Sequence, residues 1–145
     1  IEKNGEYSPS KSIFAYAVVS RDRAGSSMND YIYSVQRKII LELAEKEACV
    51  IVGRCADDIL NDHNKALHVF IYGSPEEKIK KIMDTHKISE KEALKLMKAT
   101  DKKRSINYNY YTDKQWGRTQ NYDVCLNSSV LGYEKCADII VNLVK

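Results

Sequence analysis

Arg54 follows Gly53 directly in the stretch "CVIVGRCADDIL" (residues 49–60), with Asp57 and Asp58 within one helical turn of it. An arginine presents a planar fork of donors suited to phosphate or carboxylate, and a glycine before it lets the backbone pass close to a ligand. The group suits an anion clamp, with Asp57 as a second candidate for the same pocket. It equally suits an arginine paired with its own aspartates at a helix start. A second constellation lies in "TDKKRSINYNYYTDKQWGR" (100–118), where Lys102, Lys103, Arg104 and Arg118 accompany Tyr108, Tyr110, Tyr111 and Trp116. Cations on a mobile helical hairpin are what phosphoryl transfer needs, because its catalysis is mostly positioning and neutralisation of spread charge. Rings interleaved with cations also suit single-stranded nucleic acid, whose bases stack on them. The plain alternative is a solvated basic helix followed by a tyrosine-rich packing face.

Both groups need elements to hold them. "NDYIYSVQRKIILELAEKE" places Ile32, Val35, Ile39, Ile40 and Leu43 at helical spacing, with Asn29 or Asp30 as N-cap. "ACVIVG" is a short uninterrupted apolar run ending in glycine, as expected of a strand buried on both faces of a parallel sheet, and "ALHVFIYG" is a second. The latter passes directly into "SPEEKIKKIMDTHK", where Ser74 caps, Pro75 takes the first helical position and Glu77 completes a capping box. Ser89 and Glu92 repeat that signature, and Ala93, Leu94, Leu96 and Met97 carry a helix toward the tyrosines. "YDVCLNSS" reads as a third strand, and "GYEKCADIIVNLVK" as a closing helix burying Cys136, Ile139, Ile140 and Leu143. Apolar strands alternating with helical crossovers predict a parallel α/β sheet, whose ligands bind beyond the carboxyl ends of the strands. Arg54 sits at such an end.

Composition bounds the rest. A chain of 145 residues with 43% hydrophobic and 30% charged residues fits one globular domain with its own core, spanning 1–145. No apolar run is long enough for a bilayer and "IEKNGEYSPSKS" lacks the order of a secretory signal, so a cytoplasmic location without membrane contact is expected. Cys49, Cys55, Cys125 and Cys136 form no C-x-x-C pair and read as small core residues, and His63, His68 and His86 add no ligand spacing, so no metal site is expected. The net charge of +3 is too small to announce nucleic-acid binding, yet residues 76–118 gather Lys78, Lys80, Lys81, Lys102, Lys103 and Arg104 among other cations, which suits a local anion site.

Taken together, "VIVGRCADDIL", "HVFIYGSPEEKIKKIM", "ISEKEALKLMKATDKKRSINYNYYTDKQWG" and "NYDVCLNSSVLG" resemble, in order and spacing, the cytidylate kinase-like family of bacterial P-loop proteins over roughly residues 29–145. The resemblance implies a three-layer α/β/α fold of the P-loop nucleoside monophosphate kinase type, with a parallel sheet and a helical lid insertion at about 86–118. It implies ATP and Mg2+ as cofactors and a nucleoside monophosphate, CMP by the family name, as acceptor. Arg54 matches the arginine that reaches the monophosphate, with Asp57 beside it; Lys103 and Arg104 fall in the lid stretch as catalytic cations, and Asp101 and Lys102 accompany them there. This lid holds fewer arginines than the family's, and lysine lacks the rigid fork that bridges two phosphate oxygens. No G-x-x-x-x-G-K-[ST] occurs anywhere in the 145 residues, so the cradle for ATP phosphates is missing from them. A sheet without its central strand would expose apolar edges, so the chain is expected to be the C-terminal part of a longer protein that carries that loop upstream of Ile1.

Three readings of function follow: a kinase moving the γ-phosphoryl group of ATP to a nucleotide; a non-catalytic nucleotide-binding or regulatory module; and, least favoured, a single-stranded nucleic-acid binder using the Tyr108–Trp116 face. Residues touching the base are expected within the first thirty. The spacing of Tyr7, Phe14, Tyr16, Tyr31 and Tyr33 leaves internal packing and a homo-oligomeric contact equally open.

Overall fold

The computed structural model describes residues 28–144. The apolar island "IFAYAVVS" and the base-contacting residues expected in the first thirty lie outside the described residues, apart from the last few. The described residues fall into two compact units, one within 9–64 and one within 65–145.

In the first unit, α1 (Met28–Lys46) is the helix its spacing predicts. It begins before both expected caps, which puts Asp30 in the first turn, where its charge complements the helix dipole. The four-residue α2 (Ala56–Ile59) packs on α1, and Ile40, Cys55, Ala56, Ile59 and Leu60 are buried. A helix of one turn cannot cover one of 19 residues: Val35, Ile39 and Leu43 of the predicted stripe stay exposed.

The expected strand at "ACVIVG" is the clearest correction. Residues 48–52 join no ladder among the described residues, and Val50 and Val52 are 93% and 83% exposed. The run has the composition of a central strand, but a strand is buried only by neighbours that hydrogen-bond to it and layers that cover it. Cys49, expected in the core, is exposed for the same reason.

Among its described residues the second unit is built on two strands. β1 (Val69–Tyr72) and β2 (Val124–Asn127) pair in parallel, Val69 opposite Val124 and Tyr72 opposite Asn127. Parallel pairing requires a long crossover, and α3 (Pro75–His86) and α4 (Glu90–Tyr111) lie in it. Side chains close both ends of the ladder. At its start the His68 N–H donates to Asp123 Oδ2 at 2.7 Å; at its end Ser128 Oγ donates to the Tyr72 carbonyl at 2.9 Å and the Ser74 N–H donates to Ser129 Oγ at 2.7 Å. A Cβ on Gly73 would stand 2.9 Å from Ser129 Oγ, so this clasp needs a glycine.

The two capping signatures are used differently. Ser89 and Glu92 form a complete reciprocal box on α4. On α3, Ser74 Oγ accepts from the Glu77 N–H and Pro75 takes the first turn, but the Ser74 N–H is already bonded to Ser129. Glu77 is therefore not needed as its acceptor. Ile82, Ala93 and Met97 form a buried cluster between α3 and α4, flanked by Ile79, Met83, Ile88, Leu94 and Leu96. A short 3-10 turn (Thr119–Asn121) leads to β2, α5 (Ser128–Leu131) follows it, and α6 (Tyr133–Leu143) closes the unit. In α6 Cys136 is buried as expected, while Leu143 is exposed. The architecture is thus mixed α/β with a small parallel sheet. No helix among the described residues is long and apolar enough to cross a membrane.

Candidate functional site

Arg54 occupies the middle of an unusual turn. Gly53, Arg54 and Cys55 have φ of 68°, 60° and 56°, three consecutive residues in the left-handed region. Glycine adopts that region freely; for Arg54 and Cys55 it costs about 1–3 kcal/mol each. The turn closes through the Ala56 N–H donating to the Gly53 carbonyl at 3.1 Å, and Cys55 then caps α2 without a side-chain bond. The result lifts Arg54 out exposed while its neighbour Cys55 is buried. Asp57 and Asp58 occupy the first turn of α2, where the helix dipole favours carboxylates. Burial, helped by Asp57 and Asp58, pushes the Cys55 thiol up to about 11. Burial, then Cys55 and Asp58, also raises the Tyr33 phenol.

The lysines and arginines of the expected lid lie in the second unit, on α4. Lys102 and Lys103 are exposed. Asp101 and Arg104, one turn apart, are joined: Arg104 Nη1 donates to Asp101 Oδ1 at 2.6 Å. The other carboxylate oxygen, Oδ2, accepts from Lys78 Nζ of α3 at 2.9 Å. The three side chains retain only 23% (Arg104), 26% (Asp101) and 32% (Lys78) of their exposure. Lys78 stood in the basic run of the sequence, but nothing there ties it to a residue 23 positions on. The α3–α4 packing does.

The aromatic members of the second constellation have internal partners. Tyr108 is 5% exposed, and Thr112 Oγ1 donates to its carbonyl at 2.9 Å. Trp116 meets Phe70 of β1 edge-on at 5.9 Å, and Tyr122 stacks on the same ring at 4.8 Å. A Cβ on Gly117, whose φ is 75°, would touch the Phe70 ring at 3.5 Å, so the Trp-Gly pair brings the returning chain against the sheet. Tyr110 and Tyr111 face each other edge to face at 4.8 Å, and Tyr110 remains 70% exposed. The Tyr108–Trp116 stretch is therefore largely a packing element, which leaves few free ring faces for stacked bases.

No group of three His, Cys, Asp or Glu side chains gathers as a metal site among the described residues. Nothing matches the chain among curated proteins. Among solved structures it is similar to an uncharacterized protein from Eubacterium ventriosum ATCC 27560: 34% identical, TM-score 0.76, covering 81% of this chain and 74% of that one. Residues 1–130 match the profile of the cytidylate kinase-like family, a span that includes residues 1–28, ahead of the motifs that carry the resemblance, and stops short of α6. With nine-tenths of its length matched, the chain belongs to the cytidylate kinase-like family.

Proposed function

We propose that this protein binds a nucleoside monophosphate through Arg54, with Asp57 in the same pocket, and acts as a bacterial cytoplasmic nucleotide kinase that transfers the γ-phosphoryl group of ATP, with CMP as the first acceptor to test. The observation that carries the reading is the left-handed Gly53-Arg54-Cys55 turn. Backbone strain persists where the surroundings hold it, commonly at functional sites, and here it presents one exposed arginine. Arg54 offers two parallel donors to the acceptor phosphate, and Arg104 and Lys103 supply cations for charge that migrates during transfer. ATP with Mg2+ would supply the transferred group. The glycine-rich cradle that its phosphates require is not among the 145 residues, so the acceptor side is what these residues account for.

A second reading, nucleotide binding without turnover, is favoured by one observation: the single arginine among the cations of residues 101–104 is engaged by Asp101. The test is a thermal-shift titration of the full-length protein with CMP, other nucleoside monophosphates and ATP-Mg, beside Arg54→Ala. Stabilisation by one monophosphate, weakened at least tenfold in the variant, is expected. Absence of any nucleotide response refutes both readings. ADP release coupled to an indicator enzyme then separates kinase from binder.

A further inference from the structure

We propose that Lys78 is a positioning residue for Arg104: it keeps Asp101 paired when Arg104 turns to a phosphate, and so makes that arginine releasable. The inference rests on the reading above, in which Arg104 meets the γ-phosphoryl group that is transferred.

Asp101 serves two cations with different oxygens, Oδ1 for Arg104 and Oδ2 for Lys78. Losing one partner therefore leaves the other bond untouched. That matters because the carboxylate is three-quarters buried, and a buried charge stripped of its only partner is costly. With Lys78 in place, Arg104 leaves behind a paired aspartate. Without it, departure would strand the carboxylate, and Arg104 would stay.

The lysine is held for this task by packing. Asp101 and Arg104 ride on α4, Lys78 on α3, and the Ile82, Ala93 and Met97 cluster fixes those helices against each other. Lys78 also follows the Ser74-Pro75 helix start by one turn, where Ser74 is tied to Ser129 at the end of β2. The position of the ammonium is thus referred back to the sheet.

The test compares Lys78→Met, Lys78→Arg and Asp101→Asn in the full-length protein, titrated with ATP-Mg and, as a phosphate-free control, adenosine. The Arg104 side-chain Nε–H resonance is followed in parallel by NMR. Lys78→Met is expected to weaken ATP about tenfold while leaving adenosine unchanged. Lys78→Arg restores wild-type affinity, and Asp101→Asn binds ATP as tightly as wild type or tighter. A merely structural cluster would instead weaken ATP alike in Lys78→Met and Asp101→Asn, and that result overturns the proposal. The Arg104 resonance is expected to sharpen in Lys78→Met and broaden in Asp101→Asn whether or not nucleotide binds; no change in either variant also overturns it. If those resonances shift as expected but Arg104→Ala leaves ATP affinity intact, the assignment of Arg104 to the phosphate is what fails.

Discussion

At the scale of single residues, the four cysteines separate by environment. Cys49 is exposed, Cys125 half-buried, and Cys55 and Cys136 buried. Because the thiolate is the reactive form, a Cys55 thiol held near 11 is inert at neutral pH. Brief iodoacetamide treatment of the native protein should label Cys49 first and leave Cys55 and Cys136 intact by mass spectrometry; early labelling of Cys55 would contradict its burial. The linkage has a sign. The folded thiol keeps its proton above the ordinary value of about 8.5, so its contribution is complete below that pH and is lost as pH rises toward 11. Urea midpoints should therefore fall more steeply between those values in wild type than in Cys55→Ala. The sequence showed four unpaired thiols but not their burial, since Cys49 and Cys125 sit in equally apolar runs and differ only in whether a strand partner is present.

At the scale of elements, the local signals were the most readable. The Ser89–Glu92 box starts α4 where its spacing says, and Ser74-Pro75 starts α3. Glu92 accepts hydrogen bonds from the Ser89 hydroxyl and backbone N–H, which lower its pKa. A lowered folded-state value means the stabilisation is present above the ordinary glutamate value of about 4.3 and is lost as pH falls through the folded one. Acid titration of helicity should thus be steeper below pH 4 for wild type than for Glu92→Gln, which keeps the acceptor and cannot titrate; parallel curves would remove the box from the account. The α3–α4 interface makes a larger demand. Ile82 is 3% exposed against Ala93 and Met97, and Ile82→Ala should cost about 2–5 kcal/mol in chemical denaturation, with the α3–α4 contacts loosened first. Lys87 ends α3 with φ of 55°, so Lys87→Gly should raise stability by about 1 kcal/mol, whereas Lys87→Ala should not.

At the scale of the whole molecule, the two units have different claims to stability. The second has a hydrogen-bonded ladder, clasped at both ends, and a helix pair with its own core. Among its described residues the first has a long helix on which one short turn packs, and an extended segment that joins no ladder. Hydrogen exchange should therefore find the amides of Ile71 and Leu126 protected and those of Val50 and Val52 near free rates. Comparable protection at Val50 and Val52 would mean that a further strand engages that segment.

By itself the sequence determined what depends on neighbours along the chain: where α3 and α4 begin, that β1 and β2 are strands, and that Arg54 follows a glycine at the end of an apolar run. Those features follow from hydrogen bonds and side-chain spacing within a few residues. Only the tertiary structure decided the features that need distant partners. It left "ACVIVG" without a ladder among the described residues, because a strand exists only as half of a pair. It turned Trp116 and Gly117 onto Phe70, and it brought Lys78 to Asp101 and Arg104, because helix packing sets which charges meet across 23 residues of chain.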